Sequence, residues 1–317
     1  MILPACVLLA TTHSTSMIYS EVNEGVGKVY SISIAGESAS ATPILTFGHT
    51  KRLTVRTTND NRHLVVFSVP FEGDKPPSND EERYHETKTL ISIYDWHGGG
   101  YRLRQTFNQT GWCGNLAWSS SKNTLLVETF INRTLGGFTL PFRLYTLDVT
   151  RAEMTCQVEI YDPNKYMAFN WASDGIGINQ LFAQDRGMTI VIQLDLKKRL
   201  LLPWKYTKSS FNRETLPDGE AGRIPVAGPD DWQYLMGTYL PDNLVAVKLL
   251  DKNSLFKTCV ARQDNGQIVS TLQGVMPEEV ADGDWVSEAT RSRTFGFQKW
   301  LVNWRTGKHI PMPKLAD

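Results

Sequence analysis

The chain has 317 residues, long for one ordinary domain but within the range of a closed all-β assembly. Its hydrophobic fraction of 41% can build a sizeable core, and 21% charged residues is ordinary for a folded domain. The 33 basic side chains balance 33 acidic ones, which argues against a protein working mainly through nucleic-acid phosphates.

The first element is the apolar run MILPACVLLA. It is too short to span a bilayer. No Lys or Arg precedes Lys28, so it lacks the charged start of a secretory leader; it reads as a buried strand from about Cys6, with a processed or truncated leader as the alternative. From there short runs rich in Val, Ile, Leu, Thr and Tyr alternate with Gly, Asn, Asp, Ser and Pro, the pattern of an all-β chain. CVLLATTHSTSMIYSEV leads to KVYSISIAG and PILTFG; RLTVRTTNDNRHLVVFSV leads to TLISIYDW and YRLRQTF. LAWSSSKNTLLVET is followed by RLYTLDV and CQVEIY, and AFNWASDGIGINQLFAQ by TIVIQLDL and RLLLPW. QYLMGTYLPDNLVAVKLL precedes FKTCVARQDNG and IVSTLQG, and WVSEATRSRTFGFQ precedes KWLVNWRTGK and HIPMP.

These are units of roughly 45 to 65 residues, the size of a four-stranded blade. Strands such as TLLV, TIVI and LVAV are apolar on both faces, as blades covered by neighbours on either side require. The expectation is a single all-β β-propeller over residues 1–317, with six four-stranded blades. Seven is the alternative, with the extra blade in the segment after Trp204. Trp118 falls on an inner strand, packed between blades.

LAWSSSKNTLLVET followed by RLYTLDVTRAE resembles the TolB-like and WD-repeat-like propeller unit: inner strand, Ser-Pro-Asp-Gly-type turn, second strand. The turn recurs as Ser173-Asp174-Gly175 and Pro241-Asp242-Asn243, and LVNWRTGK resembles the family's Asp-x-x-Thr-Gly-Lys strand end. The Trp-Asp dipeptide of strict WD repeats is missing; Asp95-Trp96 has the reverse order. The resemblance implies the propeller fold and leans toward a bacterial envelope or secreted setting, and it leaves function open.

No cofactor or metal motif stands out. Cys6, Cys113, Cys156 and Cys259 form no CxxC pair and read as small buried residues, and the six histidines make no HxH or HExxH spacing. His97-Gly-Gly-Gly is a turn between strands rather than a phosphate loop, and no GxSxG elbow supplies a nucleophile. Asn108-Gln-Thr and Asn132-Arg-Thr fit the glycosylation sequon, which counts only in a secreted chain.

The residues just before or at the start of each inner strand should line one mouth of the funnel. They are Arg52 beside Lys51, Trp112, Tyr166, Asp231 with Trp232, and Asp284 with Trp285. Aromatic surface mixed with charge suits a protein or peptide partner. The long polar insertion from Glu72 to Lys88 and the segment after Trp204 could add recognition loops. The favoured function is therefore a non-enzymatic binding or scaffold propeller. The alternative is a propeller hydrolase or lyase with funnel carboxylates drawn from Glu128, Glu159, Asp231 and Asp284.

Overall fold

A computed structural model describes residues 15–58, 60–71, 88–119, 123–134, 137–160, 168–171, 178–184, 188–195, 200–204, 233–250, 256–262, 267–292 and 296–315. Within each sheet, strands consecutive in sequence pair antiparallel. The first sheet contains β1 (Thr15–Asn23), β2 (Val26–Ala35) and β3 (Ser38–Phe47). The second contains β4 (Thr50–Thr57), β5 (His63–Pro70), β6 (Lys88–Trp96) and β7 (Tyr101–Thr110). The third contains β8 (Trp112–Trp118), β9 (Thr124–Thr134), β10 (Gly137–Asp148) and β11 (Glu153–Ile160). Next comes the sheet of β12 (Ala168–Trp171), β13 (Ile178–Gln184), β14 (Met188–Asp195) and β15 (Leu200–Trp204). It is followed by that of β16 (Gln233–Leu240), β17 (Leu244–Leu250), β18 (Phe256–Arg262) and β19 (Ile268–Gln273). A short helix, α1 (Pro277–Val280), precedes the last sheet of β20 (Trp285–Ser292), β21 (Gly296–Asn303) and β22 (Lys308–Pro311).

Local chemistry explains the turns. Asn23 pairs with Val26 across a two-residue turn in which Glu24 and Gly25 have φ of 48° and 80°, the left-handed geometry that matches strand twist. Asp242 and Asn243, in the turn singled out from the sequence, have φ of 62° and 58°. Ser119 N–H donates to the Thr124 carbonyl at 2.9 Å, closing the reversal between β8 and β9.

Successive side chains on a strand point to opposite faces, and here both faces are apolar. Leu64 and Val66 of β5 join Val29, Leu53 and Val55 between the first and second sheets. Val65 and Phe67, one residue out of step, join Ile91, Ile93, Trp118, Leu125 and Val127 between the second and third. Tyr30, Ile32 and Ile34 pack with Leu301 and Ile310, so the first sheet also shares a core with the last. The last sheet's Val286, Val302 and Trp304 share another with Leu240, Leu244 and Val260. The ring closes with β1 beside β20 and β3 beside β22. The architecture is a β-propeller.

The structure corrects the expectation of six four-stranded blades: the first and last sheets have three strands among the described residues. The strand expected from Cys6 and any seventh unit after Trp204 lie outside the described residues. Near the last sheet α1 reaches inward against β8, β16, β17 and β20. Pro277 starts it, the Glu279 carboxylate accepts the Met276 N–H at 2.7 Å, and Val280 is buried with the neighbouring core. Cys113 and Cys259 are buried and Cys156 is half-buried, and none of the three is in a disulfide. No helix among the described residues is long and apolar enough to cross a membrane.

Candidate binding site

A cavity of about 800 Å³ opens where the first, second and last sheets meet α1. Consecutive residues of β1 (16–20) and β4 (53–57) line it, so the strands present their edges to it rather than one face. It lies at the end of the ring where β4 and β16 finish, because Asn61 and Pro241 also line it. Asn61 Nδ2 donates to Ser16 Oγ at 3.2 Å, tying the turn after β4 to the start of β1.

The floor is an ion pair. Arg56, on β4, is buried, and its Nη1 donates to Asp282 Oδ2 at 3.3 Å and to the Val55 carbonyl at 3.2 Å. Asp282 sits in the turn that ends α1, where its N–H donates to the Glu279 carbonyl. Its side chain is 18% exposed, and that remainder faces the cavity. Burial pushes the Asp282 carboxyl up to about 7; Arg56 opposes the shift, while Glu279 and Glu278 add to it. The nearby Trp118 indole also favours the ionised form, although its Nε1 lacks the geometry of a full hydrogen bond. Burial alone would lower Arg56, but the fields of Asp282, Glu279 and Glu278 overcome it and raise its pKa. Glu278 is itself pushed up by burial, with Arg56 and Lys248 pulling against that. One atom on each partner stays unsatisfied: Arg56 Nε and Asp282 Oδ1 have no hydrogen-bond partner.

The rim carries aromatic and charged groups. Trp304 donates its indole N–H to the Gly283 carbonyl at 2.7 Å, and the Arg305 guanidinium stacks 4.4 Å from its ring centroid. Arg305 also bridges Asp284 at 2.6 Å and Asp242 at 3.2 Å. Trp285 lines the same wall, half-buried against the core shared by the first and last sheets.

These contacts also locate the residues expected to ring the funnel. Arg305 joins the turn after β16 to the residue before β20, so Asp284 and Trp285 stand where β16 ends. β20 therefore runs opposite to β16. Arg52 lies toward the other end of β4, where Thr50 N–H meets the Gly25 carbonyl and Arg52 Nη2 donates to the Cys113 carbonyl at 2.8 Å. Trp112 opens β8 at that end as the neighbour of Cys113, and only its backbone is described. Tyr166, Asp231 and Trp232 lie outside the described residues. The structure thus brings Asp284 and Trp285 together and separates them from Arg52.

Of the four candidate acids, Asp284 alone lines the cavity. Glu128 is buried in β9, Glu159 pairs with Arg143 across β10 and β11 at 2.8 Å, and Asp231 is outside the described residues. Sequence reasoning missed Arg56 and Asp282. The signal available for Arg56 was a charge inside the apolar alternation of RLTVRTT. Among the described residues no cluster of His, Cys, Asp and Glu could hold a metal ion.

No protein-family model matches the sequence, and no curated protein matches it. Solved structures do. TolB from Acinetobacter baumannii superposes with a TM-score of 0.53 at 14% identity, over 93% of this chain and 63% of that one. A structure from a study of two prolyl endopeptidases gives 0.51 at 13%, over 94% of this chain and 50% of that one. The β-propeller domain of the trilobed protease from Pyrococcus furiosus gives 0.45 at 11%, over 95% and 81%. The chain thus spans about three fifths of the first and half of the second. At these identities the likeness is one of fold, a TolB-like β-propeller.

Proposed function

We propose that the protein is a binding propeller that receives a segment of a protein or peptide partner at the cavity beside α1. The observation that carries this reading is the rim: half-buried Trp285 offers aromatic area, the Arg305 guanidinium stands beside it as a cation held over the buried Trp304 ring, and Asp284 adds a carboxylate. Such side chains gain contact at small entropic cost and orient polar groups by charge. The opposite end, where Arg52 stands and β8 begins at Trp112, is the competing location for the same function. The test is affinity capture from the native source with a folded Trp285→Ala/Arg305→Ala variant. Capture should weaken at least about tenfold, roughly 1.4 kcal/mol. Unchanged capture, lost instead on deleting residues 72–88, would move the site to that insertion.

A second reading, a hydrolase or lyase, is favoured by one group. A carboxyl held near 7 can give or take a proton at neutral pH, and Asp282 faces the cavity. Asp282→Asn separates the readings: a binder keeps its partner, whereas an acid–base enzyme loses turnover of any substrate found.

A further inference from the structure

β1 is held on three sides. Ile18 and Val22 pack into the core with Leu53 and Val55, Met17 and Tyr19 into the core with Leu301 and Ile310, and one edge pairs with β2. The other edge faces the cavity, which residues 16–20 line consecutively, and among the described residues no strand pairs with it. The register from Thr15–Ile34 to Asn23–Val26 is unbroken, and the two-residue turn at Glu24-Gly25 closes on a hydrogen-bonded pair. Bonded and non-bonded pairs alternate along an antiparallel ladder. Met17, Tyr19 and Glu21 therefore turn their N–H and C=O groups to β2, and Ser16, Ile18 and Ser20 turn theirs to the cavity. An extended polypeptide matches donors and acceptors at that spacing. Edges that stay in water are commonly guarded by charge or Pro, and residues 15–20, TSMIYS, carry neither.

Strand direction identifies the position. Ser16, at the start of β1, meets Asn61, just past the end of β4, so β1 runs opposite to β4. β4 and β8 run together, because Arg52 reaches Cys113 near the start of each. A strand opening the first sheet would run with them, so β1 holds the second place and the innermost place lies along its cavity edge. In the last sheet, where β20 likewise opposes β16, α1 packs against β20.

One polypeptide is already attached there. Residues 1–14 lead directly into Thr15, at the end of β1 that meets Asn61, and contain no Lys, Arg, Asp or Glu that would be buried without a partner. Residues 6–10, CVLLA, are apolar throughout, and residues 11–14, TTHS, match a common hairpin loop length. Tethered so closely, the segment competes at a millimolar effective concentration. We infer that residues 5–10 lie antiparallel along the cavity edge of β1 as the innermost, fourth strand of the first sheet. With the four-residue loop Val7 stands opposite Ile18 and Cys6 opposite Tyr19, so both faces of the strand meet apolar cores.

The experiment is amide exchange on ¹⁵N-labelled full-length protein. The Ile18 and Ser20 amides should exchange at least about a hundredfold more slowly than free amides. Val7→Pro/Leu9→Pro removes the N–H groups that face Ile18 and Ser16. In that variant the protection of Ile18 and Ser20 should fall at least about tenfold, while Met17 and Tyr19, bonded to β2, keep theirs. Unprotected Ile18 and Ser20 in the unaltered chain would overturn the inference. So would protection that the proline variant leaves intact, which assigns the edge to other residues, or protection that rises with protein concentration, which assigns it to a second copy. Disulfide trapping tests the register independently of the proline variant. Tyr19→Cys should couple to native Cys6 under mild oxidation and Ile18→Cys should not; equal coupling in both, or none in either, would rule out the hairpin. The partner site fails separately: capture unchanged in Trp285→Ala/Arg305→Ala, with Ile18 and Ser20 protected, removes the rim and keeps the strand.

Discussion

The interface between the second and third sheets and the junction of the last sheet with the first are built from the same kind of strand, yet they differ in what they enclose. The first is dry: Val65, Phe67, Ile91, Ile93, Leu125 and Val127 interdigitate with almost no exposure. Each such side chain contributes about 1.5–3 kcal/mol by leaving water. The second shares an apolar core through Tyr30, Ile32 and Leu301, but beside it lies a cavity with an ion pair at its base. A buried pair of this kind is weak evidence for stability, because desolvation offsets the attraction. One interface is built to hold the ring together, and the other gives up some of that for a chemically specific surface.

The sharpest way to break this contrast is Trp118→Ala. The ring is 7% exposed in the dry interface, and its removal should cost ~3–5 kcal/mol in urea unfolding. An unchanged midpoint would show that this interface is not close-packed.

The next effect is pH dependence. Asp282 keeps its proton in the folded chain to about pH 7, against 3.8 as its ordinary value. Between those values the folded state binds more protons than the unfolded one, so this group's stabilisation is complete at low pH and is lost as pH rises through about 7. At 1.36 kcal/mol per unit the whole loss is at most on the order of 4 kcal/mol. Urea titrations from pH 5 to 8 should show the decline in the wild type and a flatter profile in Asp282→Asn. Identical slopes would place Asp282 in a water-like environment.

Replacing both partners, Arg56→Leu with Asp282→Leu, should leave stability unchanged or raise it by ~1–4 kcal/mol, as with other buried pairs exchanged for apolar residues. A large loss would mean that the pair is a structural clamp. The smallest effect belongs to Arg305→Ala. Its partners Asp242 and Asp284 are largely exposed, so thermal unfolding should report a change of less than about 1 kcal/mol.

What could be read beforehand was local. The reversal after Trp118, the turn at Pro241-Asp242-Asn243 and the doubly apolar strands depend on near neighbours, so the propeller was legible. Which strand of a unit lies innermost was not. WVSEAT has the same alternation whether it opens a sheet at the axis or runs back from it, and four residues of helix before it carry little periodic signal. Asp284 and Trp285 were therefore placed with Arg52, although ring geometry puts them at different ends. Arg56 and Asp282 are separated by 226 residues, and only closure of the ring brings them together.

Ring closure also sets a timetable for the nascent chain. Lys299 Nζ reaches Tyr19 Oη at 2.7 Å and Lys308 Nζ reaches the Gly36 carbonyl at 2.7 Å, contacts spanning 280 and 272 residues. On the ribosome the first sheet therefore emerges long before the strands that cover Tyr30, Ile32 and Ile34 have been made. At ~5–20 residues per second those side chains wait on the order of 10 to 60 seconds without their final partners. Contacts of such sequence separation also fold slowly. Any chain released before β21 would present that apolar face permanently, and holdase chaperones would be its natural first companions.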